Sequence, residues 1–119
     1  MKKILFLLLL STSIMAQDYD KGKQLFKNNC ASCHAKNMKA KMTGPALKDV
    51  EKRWNNNSEN LRAWIRNSQA YLATGDMYAN ALYQEYGESV MVAFPDFTDE
   101  EIDAILDYVN FISYQRGYP

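Results

Sequence analysis

Five apolar residues, Ile102, Ile105, Leu106, Val109 and Ile112, recur at spacings of three and four near the end of the chain. That spacing lays one apolar stripe along an amphipathic helix. The start of this helix is written in the sequence as well. Thr98 stands three residues before Glu101, the arrangement of a capping box, and Asp99 and Glu100 suit the positive end of a helix dipole. Leu61, Trp64 and Ile65 form a second stripe and predict a helix from a Ser58 cap to about Ser68. The segment 74–86 predicts a third, ended by Gly87, and Asp18 or Asp20 can cap a first helix running to about Asn29. Between these lie a Gly-, Pro- and Lys-rich connection over 35–52 and a loop at Asn55-Asn56-Asn57. Almost nothing alternates with the period of a strand. The expected fold class is all-α.

The N-terminus follows a different pattern. Met1-Lys2-Lys3 is followed by an apolar run from Ile4 to Leu10 and then by Ser11 to Ala16. A basic start, a short apolar middle and a small residue before a polar one predict a secretory signal peptide over residues 1–16. A membrane anchor is the weaker reading, because spanning a bilayer takes ~20 apolar residues. Residues 17–119 are then expected to form one exported domain, periplasmic if the source is a two-membrane bacterium. A domain of this size buries a modest core and usually benefits from a staple or a bound group.

The formal net charge is zero, yet the charge is unevenly spread. Residues 17–66 carry eleven Lys and Arg against five acids, and residues 67–119 carry Arg116 against nine acids. This excludes the overall basic character of a nucleic-acid binder and predicts a dipole if the halves fold onto opposite sides.

The chain's two cysteines and its one histidine, Cys30, Cys33 and His34, fall within five residues. A disulfide between the thiols is one reading. A thioredoxin-like dithiol calls for a βαβ setting that the pattern does not supply. A structural zinc site takes four ligands where three such residues exist. Covalent haem attachment fits best, since Cys-x-x-Cys-His is its attachment sequence. One short turn spans the two vinyl groups to which the thiols add, and His34 then presents its imidazole to the iron. For the opposite face, Met38 and Met42 follow His34 too closely, whereas Met91 lies in the irregular stretch "SVMVAFPDF", stiffened by Pro95. Met91 is the favoured sixth ligand. Met77 is its main competitor, although a helical Met77 reads better as a core side chain. A thioether ligand favours Fe(II) and raises the potential, and filling both axial positions suits an electron carrier.

These residues resemble the class I, single-haem cytochrome c family over about Asp20 to Tyr114. "GKQLFKNNCASCH" is similar to that family's first helix and attachment site, "TGPAL" to its histidine-supporting segment, and "MVAFPDFTDEEIDAILDYV" to its methionine loop and last helix, with Val92 where the family often has proline. The resemblance implies a small helical fold wrapped around one haem c, attached through Cys30 and Cys33 and ligated by His34 and Met91. It implies that Pro45 accepts a hydrogen bond from His34, and that Gly22 lets Phe26 and Tyr108 pack where the first and last helices cross. Arg53 and Trp54 are candidates to hydrogen-bond a haem propionate, or else Trp54 is core and Arg53 is solvated. Lys27, Lys36, Lys39 and Lys41 flank the attachment turn and are candidates for a docking ring. The expected function is single-electron transfer between redox partner proteins, one of them acidic at the docking face, with membrane contact only through a partner complex. It is not expected to be an enzyme. A haem subunit held in a larger oxidoreductase is the alternative, and a peroxidase or gas sensor would need an open iron.

Overall fold

The computed structural model describes residues 18–117, and the expected signal peptide over 1–16 lies outside them. Six helices follow one another without strands among the described residues: α1 (18–29), α2 (Val50–Arg53), α3 (Ser58–Arg66), α4 (Ser68–Leu72), α5 (Met77–Glu85) and α6 (Asp99–Tyr114). None of them is long and apolar enough to cross a membrane.

Helix α6 carries the core. Its expected stripe is buried throughout, with Ala104 and Tyr108 added to it. Each such apolar side chain contributes about 1.5–3 kcal/mol when fully buried. The capping box forms as expected: the Glu101 amide donates to Thr98 Oγ1 at 3.1 Å, and the Thr98 amide donates to Glu101 Oε2 at 3.1 Å. Helix α1 crosses α6 at Gly22, where a Cβ would sit 2.0 Å from the Ala104 carbonyl oxygen. Only glycine allows that approach. Phe26, 1% exposed, then meets the Tyr108 ring at 5.6 Å between centroids.

Other helix boundaries differ from the sequence expectation. The cap of α3 is Asn57, whose side chain accepts from the Asn60 amide at 3.0 Å, so Ser58 is already helical. The helix stops at Arg66 because Asn67 is extended and caps a new helix, α4. The segment 74–86 does form one helix, but a shorter one: residues 74–76 lie outside it, Asp76 caps α5 by accepting from the Ala79 amide, and the helix ends ahead of Gly87, whose φ of 65° breaks it. The connection over 35–52 contains the start of the short α2.

The charged halves do not separate cleanly onto opposite sides. Lys21 pairs with Glu101 at 3.3 Å, Arg62 grips Asp103 with Nη2 at 2.6 Å, and Arg66 pairs with Asp99. Basic residues of the first half therefore neutralise acids at the start of α6.

Candidate functional site

Beyond α1 the chain keeps turning. The Cys33 and His34 amides both donate to the Cys30 carbonyl, at 3.1 and 3.0 Å, so the two thiols and the imidazole share one turn. Both cysteines are free thiols. Burial, with the Cys33 charge adding to it, pushes the Cys30 thiol up to about 11, so Cys30 is protonated at neutral pH.

His34 is 7% exposed, and its Nδ1 lies 2.9 Å from the Pro45 carbonyl oxygen. A carbonyl only accepts, so Nδ1 carries the proton and donates. Burial holds the imidazole below its usual 6.5, against the opposing pull of the Pro45 bond. The ring is thus neutral at pH 7, with an Nε2 lone pair that no described residue uses. Gly44 makes room for it: a Cβ there would lie 2.6 Å from Cε1 of the ring. The Gly44 amide donates to the Cys33 carbonyl at 2.8 Å and ties this segment back to the attachment turn.

These groups line one cavity of about 1270 Å³, counting its mouth. Tyr78, Leu82, Tyr86, Met91 and Phe94 line the same cavity, as do Phe26, Leu61, Ile105 and Val109. Its walls are largely apolar, as those of ligand sites usually are. Two thiols, a neutral imidazole with a free nitrogen and a thioether around a large apolar slot form a donor set that fits a haem c and its axial ligands.

The sequence-predicted site residues are all found here, with different settings. Cys30, Cys33, His34, Pro45, Arg53, Trp54 and Met91 line the cavity. Trp54 is 6% exposed and also belongs to the core, in edge contact with Tyr71 and Tyr78. Arg53 is not simply solvated: its guanidinium donates to the Lys48 carbonyl at 2.7 Å and to the Ala46 carbonyl, bracing the segment after Pro45. Met77 is 86% exposed and does not line the cavity, so it is neither the expected core side chain nor placed as a competitor to Met91. Met38, set aside as a ligand from its position, is fully buried in the core. Lys41 stands 4.4 Å from the ring centre of Tyr86, at the cavity wall.

Two residues that hold the methionine loop escaped the sequence reading. Ser68 Oγ donates to the Met91 carbonyl at 3.0 Å, and Arg66 Nε donates to the Phe97 carbonyl at 3.0 Å. Neither carries a local signal, because each acts on a segment more than twenty residues away.

The comparisons agree with this geometry. The family described as Cytochrome c matches residues 19–112. Cytochrome c oxidase subunit 2 of Alkalihalophilus pseudofirmus is 33% identical over 97 residues, covering 76% of this chain and 24% of that subunit. Cytochrome c 2.1 of Caenorhabditis elegans is 44% identical over 39 residues, 33% of this chain and 35% of that protein. This chain therefore spans about a quarter of the one relative and matches about a third of the other. No solved structure matches. The chain belongs to the cytochrome c family, whose domains bind haem and transfer electrons.

Proposed function

We propose that this member of the cytochrome c family carries one haem c and passes single electrons between redox proteins. The observation that carries the reading is the convergence of Cys30, Cys33, His34 and Met91 on one large apolar cavity. Cys30 and Cys33 would hold the group through thioether bonds, and His34 Nε2 and the Met91 sulfur would serve as axial ligands. When bound, the group supplies a one-electron Fe(III)/Fe(II) couple. The chain's own residues do the rest. The Pro45 carbonyl fixes the imidazole tautomer and raises its donor strength, as a hydrogen-bonded outer partner does for a metal-bound histidine. Trp54, Leu61 and Val109 exclude water from the slot, and Arg53 and Trp54, which also line it, would serve a propionate. The same reading takes residues 1–16 as a leader removed on export and residues 17–119 as the working domain.

A second arrangement, a haem subunit fixed in a larger oxidoreductase, is favoured by the match to an oxidase subunit of which this chain spans about a quarter. The test of the main reading is spectroscopic. The purified protein should retain haem through a denaturing gel and lose it in Cys33→Ala. Its ferric form should show the weak near-infrared band of sulfur-ligated haem, and Met91→Ala should abolish that band and admit carbon monoxide. An unstained wild-type band would overturn the reading. Ready binding of carbon monoxide by the wild type would favour the open-iron peroxidase or sensor instead. Co-purification with an oxidase through high-salt washing would favour the fixed subunit.

A further inference from the structure

The stretch from 89 to 94 has neither helix nor strand, and Val90 and Val92 on either side of Met91 are 58% and 65% exposed. Apolar burial therefore does little to hold it. What holds it is the break between α3 and α4. The Asn67 side chain accepts from the Ala70 amide at 3.1 Å and starts α4, which leaves the Arg66 carbonyl free to accept from the Phe94 amide at 2.9 Å. One residue on, Ser68 is 1% exposed, and its hydroxyl donates to the Met91 carbonyl at 3.0 Å. A serine this deeply buried must spend its hydroxyl on a partner, and the partner is the backbone of the proposed iron ligand itself.

We propose that Ser68 is a positioning residue for Met91: its buried hydroxyl fixes the height of the methionine backbone over the cavity and sets how often the thioether leaves its place. The proposal rests on Met91 being the axial ligand. Ser68 touches neither the iron nor the thioether and acts only through the Met91 carbonyl. Because the Ser68 end of the bond is buried, loss of the hydroxyl shifts the loop toward a larger displaced population. A typical net hydrogen-bond contribution corresponds to about fivefold in that equilibrium.

The test uses the holoprotein and compares Ser68→Ala with Ser113→Ala. Ser113 is an equally suitable buried serine at 2% exposed, but its hydroxyl donates at 2.6 Å to the Val109 carbonyl within α6, away from the loop. Ser68→Ala should weaken the near-infrared sulfur band, speed carbon monoxide binding to the ferrous protein by about fivefold, and speed exchange of the Phe94 amide by a similar factor. Ser113→Ala should change none of these while costing comparable thermal stability. Wild-type values in Ser68→Ala, or equal changes in both variants, would overturn the proposal. If Met91→Ala keeps the near-infrared band, it is the ligand assignment that fails. The positioning claim is then read from the Phe94 amide alone: faster exchange confined to Ser68→Ala supports it, and unchanged exchange overturns it.

Discussion

The attachment turn and the methionine loop both line one cavity, and the hydrogen bonds that shape them differ in reach. Around the turn, Cys33 and His34 bond back to Cys30, Gly44 to Cys33, and His34 to Pro45, the last across 11 residues. The loop depends on partners much further away: Ser68 lies 23 residues from Met91, and Arg66 lies 31 from Phe97 and 33 from Asp99. A turn closed by its neighbours costs little chain entropy, so it forms wherever its own residues allow. A loop held by distant helices exists only once those helices have docked. One wall is thus built into the local chain, and the other is a product of the fold.

The largest effect should come from breaking the local wall. Gly44→Ala places a Cβ 2.6 Å from the His34 ring, and its three nearest atoms all belong to that imidazole. Forced overpacking of this kind costs about 1–3 kcal/mol, and here the ring must also give up its Pro45 bond. The variant should yield far less covalently loaded protein, read from haem-stained gels, and what forms should melt earlier. Normal loading with an unchanged melting curve would mean that the turn is not as tightly closed as its distances say.

A smaller, selective effect should come from the distant wall. Arg66→Met keeps the aliphatic stem but removes the guanidinium contacts with Phe97 and Asp99. Its expected cost is about 1–2 kcal/mol, since one contact is partly buried and the other is a surface ion pair. Limited proteolysis should then cut between 87 and 98 sooner, while covalent attachment stays at the wild-type level. Equal loosening of the attachment turn would erase the contrast between the two walls.

The smallest effect concerns where the loop joins α6. The Thr98 amide, and after it Lys21, hold the Glu101 carboxyl below its ordinary 4.5. A carboxyl lowered in the folded state stabilises above the unfolded value and loses that contribution as pH falls through the folded one. Wild type should therefore exceed Glu101→Gln in stability at neutral pH, and the gap should close as the pH drops below 4.5. A gap that persists in strong acid would show that packing at position 101, and not its charge, makes the difference.

The sequence was most legible where chemistry and contacts are local. Cys30, Cys33 and His34 declare their turn by spacing, Thr98 and Glu101 declare the last helix, and Ile102 to Ile112 declare its buried face. It was least legible at helix ends and in side-chain fate. Asn57 and Ser58 are both good caps, and local rules do not choose between adjacent good caps. Met77 sits in a helix whose pattern permits a buried or an exposed side, and packing put it at 86% exposed. The charge asymmetry of the two halves is real in sequence, yet three cross-pairs onto α6 redistribute it in space.

By itself, then, the sequence determined the helical class, the attachment turn with its single imidazole, and the capped and striped last helix. Each of these rests on interactions closed within about a dozen residues, whose energetics local spacing controls. The tertiary structure decided which methionine lines the cavity, which tryptophan also serves the core, and which arginine and serine hold the loop. Those outcomes depend on how α1 and α3 settle against α6 and α4 against α3, beginning with the Gly22 crossing, where a backbone carbonyl occupies the space a side chain would need. Such meetings join residues far apart in the chain, and no local pattern encodes which partner will be within reach once the apolar faces are buried.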